Sequence, residues 1–499
     1  MGGPEQGPLR AGGGEVKADD VSGVARELVA AGFGDDKVAG GAADLLSLDL
    51  NDDGNARRLI ILHAHRLRYC HDFRKWLVYD GLRWALDESE QALKLQKHAM
   101  ARTARLAIDR NVPAVLKWAS RSLDRARLVS ALALAQPEIC VRAAELDSDP
   151  DLLNCLNGTI NLKSGELLPH DPKQLITRLV HHRFETEARC PRFLGFLGRI
   201  MGAHPDASEA ALTMADRKVG YLQRALGYSL TGRTSEKAVF VVYGERGDNG
   251  KTTLLFTVAQ VVAEYSVLIQ IESLMGRRES TNDKADLADL RGKRFVRTSE
   301  GERGQRLQQA RLKRITQGMG MIKAVRKYEN PIEFPETHKL WIDTNPRPVI
   351  HDVEDEATFK RLHPIPFDVT IPPEEIDREL PAKLAEESEG ILAWLVAGAL
   401  EWYRCGLQRI AEVDQARRAW REKDDQIGRW IEERCEVDEA YRTRASVLFE
   451  DYKRWTVDAA EQGQLSRNDF GRRLESRGFS KVHRDDGNHY NGLRLLPCS

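Results

Sequence analysis

The chain has 499 residues, with 75 Lys+Arg against 76 Asp+Glu and a hydrophobic fraction of 41%. That apolar fraction excludes wholesale disorder, and a net charge of −1 excludes a uniformly basic binder, so any polyanion site must be a local patch. The longest apolar run, Gly390 to Tyr403, is too short to span a bilayer, and seven scattered cysteines without C-x-x-C spacing argue against a zinc ribbon or a disulfide framework.

Residues 1 to about 20 hold six Gly and two Pro and read as a tail. No signal-peptide or myristoylation pattern opens the chain, so the expected location is the cytoplasm. From Asn55 the run NARRLIILHAHRLRYC reads as one helix, with Asp52 and Asp53 near its N-terminus. His63, His65, Cys70 and His71 lack the spacing of a helical metal face. WLVYDGLRWAL reads as a hairpin around Asp80-Gly81. Residues 86 to about 146 read as charge-rich helices, and Leu153 to His170 as a second hairpin unit with turns at Asn157-Gly158 and Ser164-Gly165.

The middle of the chain changes character. KAVFVVYG (237–244), KRFVRTSE (293–300) and HKLWIDTN (338–345) are strand patterns with helical material between them, which indicates an α/β domain with a largely parallel sheet. The first strand runs into GERGDNGKTT, where a loop of Gly244, Gly247, Asp248, Asn249 and Gly250 precedes Lys251, Thr252 and Thr253 at a helix start. Backbone N–H groups there suit phosphate oxygens, Lys251 suits β/γ charge and Thr252 suits Mg²⁺. The spacing has one residue more than G-x-x-x-x-G-K-[ST], and Gly247 is expected to supply the flexibility. Glu300, with Glu302 two residues on, ends the second strand and is the candidate acid for metal and water, the alternative being solvated loop acids. Asn345 closes the third strand as a water- or phosphate-orienting group, or as a turn residue.

Residues 291 to 327 carry twelve Lys/Arg against two acids. A run this lopsided in a neutral chain points to a polyanion. MIKAVRKYENPIEF reads as two strands around Glu329-Asn330-Pro331, bringing Lys323, Arg326 and Lys327 near the tip with Tyr328 available to stack a base. Residues 425 to 499 read as helices followed by a hairpin around Asp485-Asp486-Gly487, with Arg472, Arg473 and Arg477 on one helix.

GERGDNGKTT, RFVRTSEGERGQRL, HKLWIDTNPRP and DEATFKRLHPIPF resemble, in order, the motifs of superfamily 3 helicases, and most closely the phage/plasmid primase–helicase family related to the poxvirus primase–helicase. Upstream and downstream segments resemble that family's helical-and-hairpin domain and its C-terminal winged helix. The resemblance covers roughly residues 50 to 499. It departs from the family in the longer phosphate loop, in Gly318-Met319-Gly320 where Gly-Gly-Asp is common, and in Lys360-Arg361 where Arg-Arg is common.

The resemblance implies an AAA+-like P-loop ATPase core of α/β class, a homo-oligomeric ring (a hexamer) and 3′-to-5′ movement on single-stranded DNA. By the same resemblance Lys251 and Thr252 hold ATP and Mg²⁺, Glu300 is the main metal and water acid, Asn345 is a sensor, and Arg361 reaches a neighbour's γ-phosphate. The hairpin of Lys323 to Tyr328 takes the place of the DNA-touching pore loop. The expected layout is a tail (1–50), a helical and hairpin domain (51–205), the ATPase (206–410) and a winged-helix-like DNA-binding domain (411–499). Only about fifty residues precede the helical domain, so the expectation is a helicase without its own primase, acting on single-stranded and forked DNA alongside a separate primase. The alternatives are an ATP-switched replication initiator or regulator without unwinding, and an AAA+ motor with another substrate.

Overall fold

In the computed structural model, the residues described are 42–244, 246–271, 274, 287–298, 306–318, 320–324, 332–345, 347–461 and 464–497. The chain is a mixed α/β structure that divides into two compact units. One holds the residues through Ser148 with His170–Arg178, and the other holds Asp149–Pro169 and everything from Leu179. Among the described residues no helix is long and apolar enough to cross a membrane.

In the first unit, α1 (Asp52–His63) starts at Asn51, whose side chain accepts the Gly54 N–H at 2.7 Å. The helix does not run on to Cys70 as its pattern predicts. Leu67–Cys70 is instead strand β1, antiparallel to β2 (Lys75–Tyr79), with Leu67 opposite Val78 and Cys70 opposite Lys75. Pairing with β2 on one edge and with the sequence-distant Cys140–Val141 on the other satisfies this backbone, and helical periodicity over four residues is too weak to compete. β2 turns into β3 (Trp84–Leu86) through Asp80-Gly81, where the Asp80 carboxylate accepts the N–H groups of Leu82 and Arg83, both at 2.8 Å. Helices α2 (Gln91–Asp109), α3 (Pro113–Arg121) and α4 (Arg125–Ala135) follow, and β4 (Cys140–Val141) adds to β1 in parallel.

The second unit opens with β5 (Leu152–Cys155), β6 (Gly158–Asn161) and β7 (Leu167–Leu168), an antiparallel sheet. Cys155 pairs with Gly158, so the first turn is centred on Leu156-Asn157, one residue earlier than expected. Gly158 is needed as a strand residue, since a Cβ there would stand 2.3 Å from the Leu168 carbonyl oxygen. Helices α5 (Pro191–Met201) and α6 (Glu209–Tyr228) lead to the central sheet.

That sheet has five strands in the order β14-β8-β13-β10-β9, every pairing parallel. They are β8 (Val239–Tyr243), β9 (Ser266–Ile269), β10 (Phe295–Thr298), β13 (Lys339–Thr344) and β14 (Leu362–Pro366). β8 and β13 are buried along nearly their whole length, as strands covered on both faces must be. Helix α7 (Lys251–Val262) crosses between β8 and β9. Between β10 and β13 come helix α8 (Gln309–Ile315) and an antiparallel pair, β11 (Met321–Ala324) and β12 (Ile332–Pro335), with Lys323 opposite Glu333. Helix α9 (Glu356–Arg361) precedes β14.

Helix α10 (Ser388–Cys405) is the apolar run and lies against α6 at glycine-wide separation. A Cβ on Gly227 would stand 2.1 Å from the Ala399 nitrogen, and one on Gly398 would stand 2.1 Å from the Gln223 carbonyl oxygen. Helix α11 (Ala411–Asp424) leads into α12 (Gln426–Arg434), β15 (Cys435–Arg444), α13 (Ala445–Asp458), α14 (Arg467–Ser476), β16 (Lys481–Arg484) and β17 (Gly487–Leu495). These last elements form a three-stranded antiparallel sheet in the order β15-β17-β16, and they have their own core of Trp430, Tyr452, Trp455, Phe470 and Leu493.

Candidate functional site

At the C-terminal edge of the sheet, β8 ends in Tyr243 and the chain turns through Gly244 toward α7. A Cβ on Gly244 would stand 2.2 Å from the Asn249 amide nitrogen and 2.8 Å from the Phe367 carbonyl oxygen, so the position must be glycine for the loop to fold back. Asn249 is the buried centre of that fold. Its amide donates to the Arg246 carbonyl at 2.8 Å, and its Oδ1 accepts from the Lys251 ammonium at 2.8 Å. Gly250 caps the helix at φ +79°, with Ile200 of α5 only 2.6 Å from where a Cβ would sit. Asp248 is also left-handed at φ +53°, whereas Gly247 is exposed with open space around its Cα. The turning conformations are therefore carried by Asp248 and Gly250.

Lys251 is buried and bonds two amide oxygens, Asn249 Oδ1 and Asn345 Oδ1, each at 2.8 Å. Asn345 follows the end of β13, the strand beside β8. Thr252 is exposed, and its hydroxyl donates to Asp343 Oδ2 at 2.9 Å. Asp343 is buried on β13, two residues before Asn345, so strand alternation turns both toward the same face. Thr253 is half-buried in the first turn of α7. The site therefore collects a cation, a hydroxyl, a carboxylate, an amide and the free N–H groups of a twelve-residue helix. A hydroxyl and a carboxylate within 3 Å are hard oxygen donors suited to Mg²⁺, and the helix N-terminus suits phosphate. Arg297 on β10 lies 5.7 Å over the Phe256 ring; burial lowers its pKa, and the Asp343 charge opposes that shift.

Asp343 escaped the sequence reading, although its spacing of two from Asn345 at a strand end was a usable signal. Arg347 escaped too, and its guanidinium lies 4.9 Å over the Tyr243 ring and 5.6 Å over Trp420 of α11. Glu300, Glu302, Arg326, Lys327 and Tyr328 lie outside the described residues.

Other predicted site residues sit elsewhere. Leu362 pairs with Val239 and Pro366 with Tyr243, so Arg361 lies at the strand-start edge of the sheet, opposite the phosphate-loop edge. Its guanidinium bonds the carbonyls of Ala357 at 2.7 Å and Thr316 at 3.2 Å. The acids near it in sequence pair elsewhere, Asp355 with Lys313 at 2.6 Å and Glu356 with Lys360 at 3.0 Å. Lys323 is exposed on β11, 3.9 Å from Glu333. Arg472 is exposed and pairs with Asp469. Arg473 is only 5% exposed; it donates to the His351 carbonyl and, at 2.7 Å, to the His351 ring. Arg477 bonds Asp425 at 2.5 Å and Glu354 at 3.4 Å. Arg473 of α14 and Arg477 just beyond it are thus turned onto this chain's own residues.

Residues 56–202 match the family described as D5 N terminal like, and residues 242–361 match a family of unknown function, DUF5906. No curated protein matches. Among solved structures, the chain is similar to two apo forms of the NrS-1 C-terminal region. One is 12% identical with a TM-score of 0.45, covering 85% of this chain and 95% of the other. The second is 10% identical with a TM-score of 0.49, covering 91% of this chain and 99% of the other.

Proposed function

We propose that the chain is an ATP-dependent DNA helicase of superfamily 3, working in replication of a phage, plasmid or integrated element. The observation that carries this reading is the meeting of Lys251, Thr252, Asp343 and Asn345 at the ends of two adjacent parallel strands. That set suits a nucleoside triphosphate, and the D5 N terminal like match over residues 56–202 agrees with the primase–helicase resemblance.

In this reading Lys251 exchanges an amide oxygen for β/γ-phosphate oxygens, and the N–H groups opening α7 hold the phosphates. Thr252 and Asp343 would hold Mg²⁺, which neutralises phosphate charge when bound. Glu300, or Glu302 in its place, polarises the attacking water, and Asn345 orients it. Arg361, at the far edge of its own sheet, serves the site of a neighbouring subunit in a hexameric ring. Lys323, with Arg326, Lys327 and Tyr328, contacts single-stranded DNA as the ring moves 3′ to 5′. The order α12–β15–α13–α14–β16–β17 suits a winged helix, in which Arg472 is the exposed phosphate contact on α14. A separate primase supplies primers.

The test is ATP hydrolysis with and without single-stranded DNA, followed by unwinding of forks with a free 3′ or 5′ arm. DNA-stimulated hydrolysis and opening of the 3′-armed fork are expected. ATP binding without unwinding of either fork would favour the initiator reading, and no ATP binding would overturn the nucleotide site.

A further inference from the structure

The eleven-residue stretch from Asn345 to Asp355 touches the phosphate site at one end and the C-terminal module at the other. Asn345 holds the Lys251 ammonium. Two residues on, the Arg347 guanidinium is sandwiched between Tyr243, the root of the phosphate loop, and Trp420 of α11. The Ile350 N–H donates to Asp424 at 2.8 Å, and the Trp420 indole N–H reaches the same carboxylate oxygen at 3.1 Å. His351 receives Arg473 of α14, and Glu354 receives Arg477, the residue that follows α14. Gln309 of α8 holds Asp352 through both its backbone groups, each at 2.9 Å.

The module, α12 to β17, holds this stretch through polar contacts, Arg473 on His351 and Arg477 on Glu354, whereas Trp420 of α11, outside it, packs with Ile350 and Val353 against the central sheet. Beside the arginine contacts is a cleft of about 820 Å³ lined by Arg306, Lys313, Asp355 and Arg472. Inside the module, by contrast, Trp430, Tyr452, Trp455 and Phe470 are close-packed. A polar, cleft-bordered contact opens at far lower cost than an aromatic core, so separating the module from this stretch costs less than disrupting its interior.

We infer that Arg347 is a positioning residue that couples occupancy of the phosphate site to docking of the C-terminal module. This rests on the nucleotide reading above. Phosphate oxygens that draw the Lys251 ammonium release Asn345, and the stretch that follows carries the change through Arg347 to Trp420, His351 and Glu354. Linkage makes the effect reciprocal: releasing the module alters nucleotide affinity by the factor with which nucleotide alters docking.

The experiment is backbone hydrogen exchange on the full chain, with and without Mg²⁺ and a non-hydrolysable ATP analogue, alongside equilibrium binding of that analogue. Exchange in residues 467–476 and 348–355 of the wild type should change by about fivefold or more on saturation, the scale of ordinary allosteric coupling. Arg347→Met should still bind the analogue yet lose the response in 467–476, and Arg347→Lys should recover part of it. Should Arg347→Met fail to fold, the double variant Arg473→Ala/Arg477→Ala gives an independent readout, because freeing the module should shift analogue affinity about fivefold. Analogue binding with unchanged exchange in 467–476 overturns the coupling alone. Absence of binding overturns the nucleotide site and the coupling together.

Discussion

The Lys251 ammonium lies 2.8 Å from Asn345 Oδ1, although the two residues are 94 positions apart. Parallel pairing of β8 with β13 brings them together, because it sets the phosphate loop beside the end of the neighbouring strand. Lys251→Ala should abolish ATP hydrolysis and lower the thermal midpoint modestly, since it also removes the donor to the buried Asn249 Oδ1. Asn345→Ala should bind ATP within a few-fold of wild type while kcat falls about 10²-fold, the usual cost of losing one charge-orienting donor. A raised KM with unchanged kcat for Asn345→Ala would assign it to ground-state binding instead.

Asp343 accepts the Thr252 hydroxyl at 2.9 Å. Asp343→Asn keeps an oxygen for that hydrogen bond and removes the charge, so the fold should survive. The half-saturating Mg²⁺ concentration for nucleotide binding should rise about tenfold, equivalent to about 1.4 kcal/mol. An unchanged Mg²⁺ titration would leave the metal to other acids.

Arg361 and Tyr243 stand at opposite ends of the β14–β8 pairing, about 17 Å of strand apart at about 3.3 Å per residue. A guanidinium there serves a neighbour better than its own site. Arg361→Ala should bind ATP and hydrolyse it poorly, and mixing it with Lys251→Ala protein should restore part of the activity, because some interfaces then hold one intact copy of each residue. Failure to complement on mixing would argue against a site shared between subunits.

Glu336 follows β12 at the base of the hairpin, where it accepts the Gly318 N–H at 3.1 Å, and burial pushes its pKa up to about 7. The folded chain therefore holds this proton more tightly than the unfolded chain does. Stability from this group is full below pH 4.5, falls as pH rises, and is lost above about 7. The window corresponds to about 3 kcal/mol at most. Glu336→Gln should raise the thermal midpoint at pH 8 and leave it nearly unchanged at pH 4.5. A midpoint difference that does not vary with pH would remove Glu336 as the source.

Local chemistry was readable without the fold. Lys251 after a Gly-rich turn, the all-buried run Val239–Tyr243, and the turns at Asp80-Gly81 and Asp485-Asp486 each depend on neighbours a few residues away. What the tertiary structure decided depends on register between distant segments. Leu67–Cys70 became a strand between β2 and the distant β4, where Tyr69 lies opposite Cys140. Leu362–Pro366, with two prolines, became a strand because it lies at the sheet edge, where a missing N–H can face outward. Asp343 met Thr252 only once β13 had settled beside β8. Arg473 and Arg477, which in sequence look like the basic face of a DNA-reading helix, turn onto His351 and Glu354. A charge pattern records which residues are cationic, but which anion or carbonyl each one meets is set by the packing of surfaces more than a hundred residues apart.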